Sequence, residues 1–106
     1  LASGIKMMTI WTNLQKLNLS TNNIDEKGTE HLSNNRLGLN YKADLLKNKV
    51  GNKGAEHLSN NQTWTNLQTV NLSWNKISEK GAEHLSKNKN WTNLQALDLS
   101  LNEIGE

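Results

Sequence analysis

One eleven-residue pattern is written four times along this chain, and nothing else in the sequence limits its fold so tightly. Leu67 to Ile77 carries apolar residues at Leu67, Val70, Leu72 and Ile77, with Asn75 between the last two. Leu94 to Ile104 and Leu14 to Ile24 repeat it, and a weaker copy runs from Asn40 through Ala43, Leu45 and Asn48 to Val50. The units recur at 26 residues (Gly28 to Gly54) and 27 residues (Gly54 to Gly81), a period that signals an array of stacked repeats.

Within each unit the pattern changes from a strand period to a helix period. Lys16 to Leu19 alternates, which sends Leu17 and Leu19 inward and Lys16, Asn18 and Ser20 outward. Asp25 is placed to cap a short helix over residues 26–33, with Glu26 at its positive end and Thr29 and Leu32 facing the core. The second helix is expected over about Asn52 to Ser59 with Ala55 and Leu58 inward, and the third is expected to be capped by Ser78 with Ala82 and Leu85 inward. These units divide the chain into repeats at 11–36, 37–63 and 64–90 and a part-repeat at 91–106, all in one array. Counting back from Trp11 finds Ala2 and Ile5 where Ala82 and Leu85 precede Trp91, so residues 1–10 read as the tail of an earlier repeat. A cap or a vector-derived segment is the alternative there.

The second repeat is the degenerate one. Leu37 stands for the tryptophan, Asn40 for the first leucine and Ala43 for the second, so the core is expected to be thinnest here. After Ile104 the chain stops where a fourth helix would begin, as a fragment of a longer array would, with an uncapped end through which copies could self-associate. One repeat buries too little apolar surface to offset its ordering entropy, so stability needs stacked neighbours. Strands stack at ~4.8 Å and helices at ~8–10 Å, which curves the stack with its sheet on the inside.

Composition agrees with a thin shared core: 34% of residues are hydrophobic and the mean hydropathy is -0.76. A net charge of +2 is too weak to point to nucleic acid. Zero cysteines exclude disulfides and thiolate metal sites. No apolar run approaches the ~20 residues of a membrane span, and residues 1–10 lack the form of a signal peptide. Asparagine occurs 18 times, and the four Asn-x-Ser/Thr sites at Asn18, Asn61, Asn71 and Asn90 read as chance matches.

The spaced leucines and the Asn-x-Ile segments resemble the leucine-rich repeat family. The blocks Lys27 to Ser33, Lys53 to Ser59 and Lys80 to Ser86 are similar to its ribonuclease-inhibitor-like class. That resemblance covers about Trp11 to the end. It implies an α/β fold, a right-handed solenoid with a parallel sheet on the concave face and short helices on the convex face. Members of the class are protein-binding scaffolds, so a protein partner is implied and no cofactor. The short helices, the 26–27-residue period and the lack of cysteine depart from the class.

Several recurrent residues need separate accounts. Asn22, Asn48, Asn75 and Asn102 recur where the chain leaves each strand, a place for side chains that satisfy turn backbone. Trp11, Trp64 and Trp91 are placed to seal the edge of the core. His31, His57 and His84 recur beside glutamates, but helices ~8–10 Å apart hold them too widely for a zinc ion bound at ~2.1 Å. Asp44 and Asp98 lie two strands apart on the inner face, and nothing in the sequence would turn them into an acid–base pair.

The inner face reads Lys16, Asn18, Ser20; then Lys42, Asp44, Leu46; then Thr69, Asn71, Ser73; then Ala96, Asp98, Ser100. Trp74 is an aromatic that the repeat does not require, expected at the rim of that face. Lys42, Lys47, Lys49 and Lys53 read as a basic stretch that would steer an acidic partner. The sequence therefore points to a protein-binding module on the concave sheet, not an enzyme. Trp74, Leu46 and Leu101 are its apolar contacts and Lys42, Asp44, Asn71 and Asp98 its polar ones. A structural spacer within a longer array is the alternative.

Overall fold

In the computed structural model, residues 15–34 and 41–103 are described; the expectations for Ala2, Ile5, Trp11, Leu37 and Asn40 lie outside them. Seven elements alternate along the chain. They are β1 (Lys16–Asn18), α1 (Glu26–Asn34), β2 (Lys42–Asp44), α2 (Gly51–Ser59), β3 (Thr69–Asn71), α3 (Glu79–Ser86) and β4 (Ala96–Asp98). The strands form one parallel sheet in sequence order, β1-β2-β3-β4. Register places Leu17, Ala43, Val70 and Leu97 in one row and Asn18, Asp44, Asn71 and Asp98 in the next. Pairing continues past each strand: Leu19 N–H donates to Asp44, Leu45 N–H to Asn71 and Leu72 N–H to Asp98, at 2.8–2.9 Å. Leu19, Leu45, Leu72 and Leu99 thus stand side by side, as the repeat requires.

The core lies between this sheet and the row of helices. Leu45, Leu72, Ile24, Val50 and Ile77 are buried from the strand side, and Leu32, Ala55 and Leu58 from the helix side. The substitution to Ala43 leaves no gap open to solvent, since Ala43 is fully buried. Ala82 is only half-buried, in the last described helix. Thr29 is fully buried too, and its hydroxyl donates to the Asp25 carbonyl at 2.8 Å. At the edge where helix returns to strand, Trp64 and Trp91 stack with centroids 6.3 Å apart and planes 8° from parallel. Asn61 ties that edge together: its Oδ1 accepts from Trp64 N–H and the Trp91 indole, and its Nδ2 donates to the Ser33 carbonyl. The sequon at Asn61 is therefore sealed in the core. The buried Trp64 indole N–H has no acceptor among the described residues.

Each strand ends in a turn that forces left-handed backbone on residues with side chains. Thr21, Lys47, Trp74 and Leu101 all have φ of 56–57°, as do Asn23 and Lys76. Non-glycine residues rarely adopt this region, at a cost of roughly 1–2 kcal/mol each. Asparagines of the following repeat hold it, Asn48 and Asn75 buried and Asn102 half-buried. Asn48 Oδ1 accepts from the N–H groups of Asn22 and Ile24 at 2.9 Å, and its Nδ2 donates to the Leu19 and Leu45 carbonyls. Asn102 does the same for Asn75 and Ile77. Asn75 accepts from Val50 and donates to Leu45 and Ser73. Every one of these side chains reaches into the turn of the preceding repeat.

Two helix starts differ in how they are capped. Asp25 Oδ1 accepts from Gly28 N–H at 3.0 Å, a local cap as the sequence implied. Ser78 does not cap α3. The cap comes instead from Asn52, one repeat earlier, whose Oδ1 accepts from Ser78 N–H at 2.9 Å and Gly81 N–H at 3.0 Å. Asn52 Nδ2 completes the contact on the Ser78 hydroxyl at 2.8 Å. The close approach explains the glycine in the third block, because a Cβ at Gly81 would sit 2.6 Å from Asn52 Oδ1 and from Ile77.

Two stability comparisons follow from these bonds. Asn75→Ala strands the buried Val50 N–H and takes one of two donors from each of the Leu45 and Ser73 carbonyls. It is expected to cost about 1–3 kcal/mol, whereas exposed Asn22→Ala stays within about 0.5 kcal/mol. Urea unfolding followed by circular dichroism reads both, and equal midpoints would refute the ladder. By the same measurement Asn52→Ala is expected to lose about 1–2 kcal/mol and to exceed Ser78→Ala.

Candidate functional site

Four rows of side chains run across the open face of the sheet, the side away from the helices. Lys16, Lys42, Thr69 and Ala96 make the first row, and Asn18, Asp44, Asn71 and Asp98 the second. The third holds Ser20, Leu46, Ser73 and Ser100. The fourth, at the loop rim, holds the left-handed residues Thr21, Lys47, Trp74 and Leu101.

The second row is already engaged on one side. Each Oδ1 accepts from the backbone N–H two residues on: Ser20 at 3.1 Å, Leu46 at 3.1 Å, Ser73 at 3.0 Å and Ser100 at 2.9 Å. Where the third row is serine, its hydroxyl donates to the same oxygen at 2.6–2.9 Å. Ser73 was expected to face outward, but it is buried at 4% exposure. Strict alternation ends with the third strand residue, after which the chain folds toward its left-handed turn. Leu46 is half-buried for the same reason.

These bonds set the charge of the face. The Ser100 hydroxyl and then its N–H hold the Asp98 carboxyl below the usual aspartate range, against a small opposing effect of burial. Asp98 therefore stays ionised, the reverse of what a proton donor needs. Among the described residues no cluster of three histidines, cysteines or carboxylates could hold a metal ion. No helix among them is long and apolar enough to cross a membrane.

The expected site residues fall into two places. Trp74 and Leu101 line a groove of about 310 Å³ at the rim, with Lys47, Lys49, Lys76 and Glu103. Trp74 is 48% exposed and Leu101 69%, and the Lys47 ammonium lies over the Trp74 ring at 5.3 Å. Lys42, Asn71 and Asp98 line a shallower hollow of about 260 Å³ on the sheet itself, beside Tyr41, Thr69 and Ala96. Asp44 and Leu46 line neither. The basic stretch read from the sequence does not hold together as one patch. Lys53 lies on α2 and pairs with Glu56 at 3.3 Å, and Lys42 points to the sheet hollow, while Lys76 joins Lys47 and Lys49 at the rim.

Tyr41, Lys76 and Glu103 were missed by the sequence reading. Tyr41 carried a usable signal: it stands where the other repeats have Gln15, Gln68 and Gln95, and it is exposed with the Lys16 ammonium 5.5 Å from its ring.

Leucine ladder, asparagine ladder and parallel strand-turn-helix units agree with a family match. A family model described as Leucine Rich repeat matches residues 12–30, 65–86 and 92–106, just over half of the chain. The chain belongs to the leucine-rich repeat family. Such repeats generally mediate protein–protein interaction and are generally non-enzymatic binding modules. The match omits the whole of the second leucine-rich repeat, where Ala43 dilutes the pattern that the fold nonetheless keeps. No curated protein matches the chain.

The Asp98 contact generates a pH test. Because the fold lowers this pKa, the contact stabilises the folded chain above the ordinary aspartate pKa. That contribution is lost as pH falls through the lowered value. Ser100→Ala removes the stronger of the two hydrogen bonds, so the Asp98 pKa is expected to rise toward its ordinary value. Carboxyl carbon shifts followed by NMR titration read the change, and an unmoved pKa would refute the assignment.

Proposed function

We propose that this chain is a protein-binding module that receives its partner on the open sheet face and the adjoining loop rim. One observation carries the reading. Among the described residues the exposed large hydrophobics are Tyr41, Trp74 and Leu101, all at the sheet face or its rim. The helix side exposes Lys53, Glu79, Lys80 and Lys87 instead. Exposed aromatics beside polar groups are the usual anchors of a protein interface.

The rows around these anchors suit a protein surface better than a small molecule. Lys42, Asp44, Asn71 and Asp98 offer both charges and an amide over three adjacent strands, without an enclosed cavity. Strands spaced more closely than helices support a concave sheet, which enlarges the area a partner can cover. The recurrent Lys27 to Ser33, Lys53 to Ser59 and Lys80 to Ser86 blocks, each on an outer-side helix, support placement in the ribonuclease-inhibitor-like class. A net charge of +2 argues for protein over nucleic acid.

The test begins with a peptide library displayed on phage and selected against the whole chain. Binders are expected to lose about 30-fold or more in affinity with Trp74→Ala, and a smaller factor with Asp44→Ala. Glu83→Ala, on the helix side, is expected to leave affinity unchanged. Binders insensitive to both Trp74→Ala and Asp44→Ala would move the site off this face.

A further inference from the structure

The rim groove differs from the sheet hollow in charge and in the chemistry of its walls. Lys47, Lys49 and Lys76 converge on it with Glu103 as the one acidic wall residue. None of the three lysines has a carboxylate within ion-pair distance among the described residues. Trp74 and Leu101 form its apolar part, each far more exposed than a leucine-rich repeat core position. At about 310 Å³ the groove is at the low end of ligand sites, room for one or two side chains and not for a cofactor.

The backbone that carries these walls is fixed. Lys47 N–H donates to the Ser73 carbonyl at 2.9 Å and Trp74 N–H to the Ser100 carbonyl at 3.3 Å, so the sheet ladder reaches the rim. Asn75 clamps the Lys47 turn and Asn102 the Trp74 turn. A groove so held presents its side chains with little backbone entropy left to lose on binding.

We propose that this groove docks an acidic extended segment of a partner protein, one aliphatic side chain resting between Trp74 and Leu101 and its carboxylates meeting Lys47, Lys49 and Lys76. This inference rests on the protein-binding reading and names the chemistry of the partner. The charge balance selects an acidic ligand. The apolar wall selects a peptide over a nucleic acid strand, because Lys47 occupies a face of the only aromatic ring in the groove. Stacking bases would need that face free and further aromatics beyond it. Asp44 and Asp98, two rows in from the rim, keep an acidic segment to the rim by repulsion.

The test uses the whole chain and a blocked heptapeptide of glutamates and aspartates around one central leucine. Addition of the peptide is expected to shift the Trp74 indole and the Lys47, Lys49 and Lys76 amides in a saturable NMR titration. Affinity is expected to fall as salt rises, and to fall about tenfold or more in a variant combining Lys47→Gln, Lys49→Gln and Lys76→Gln. Exchanging the same lysines for arginine is expected to retain binding. Equal affinity for a heptapeptide with lysines in place of its acids would overturn the inference. So would shifts confined to Tyr41, Lys42 and Asn71, or tighter binding of a seven-residue oligothymidine. Phage binders that still depend on Asp44 while the acidic peptide fails would sink this inference alone. Binders independent of the whole face would sink the broader reading with it.

Discussion

A buried asparagine that satisfies the turn of its neighbour is the interaction on which this structure depends. The chain must leave a three-residue strand and descend to the helix layer within a few residues, which drives Thr21, Lys47, Trp74 and Leu101 into left-handed backbone. The amides of Asn22, Ile24, Val50, Asn75 and Ile77 in those turns find no backbone acceptor among the described residues, and burying them unpaired would be costly. Asn48, Asn75 and Asn102 supply the missing partners from the following repeat. The conformation of one unit is thus written partly in the next. That is why stacking, more than local propensity, decides whether any unit folds.

The same arrangement frees the rim for recognition. Since the asparagine ladder and the continued strand pairing fix the backbone, the side chains at the left-handed positions carry no structural duty. Threonine, lysine, tryptophan and leucine occupy the four equivalent places. The core row just past the strands shows no such freedom, with leucine at each of Leu19, Leu45, Leu72 and Leu99. A position that varies freely on a rigid frame suits the evolution of specificity, because changing its side chain leaves the fold undisturbed.

Most of the architecture was legible because it rests on spacing within one repeat. Strand registers, the inward residues of α1 and α2, the tryptophan edge and the asparagine positions all follow from a period of two or of 3.6 read against a unit of 26–27 residues. What escaped depends on contacts between repeats. Ser78 looked like a cap by its place in its own unit, yet Asn52 supplies the bond, because the helices approach closely enough at Gly81 for a neighbour to reach in. Ser73 looked outward because alternation was carried past Asn71, where the strand stops. The basic stretch from Lys42 to Lys53 is continuous in sequence but crosses strand, turn and helix, so its charges leave in three directions. The true rim cluster joins Lys76 from the next repeat, which no linear window contains.

Charge order across the open face gives any partner a direction. Lysines stand in the first row at Lys16 and Lys42, carboxylates in the second at Asp44 and Asp98, and lysines again at the rim at Lys47 and Lys76. Each carboxylate has one oxygen drawn down to the strand exit, which fixes where its negative charge sits. A partner shifted by one row would set its acidic groups against Asp44 and Asp98 and leave the rim lysines unmatched. Exposed pairs of this kind add little affinity singly, but their alternation penalises the wrong register and steers approach. Binding strength would then come from the apolar anchors Tyr41, Trp74 and Leu101, and the alignment over them from the charged rows between.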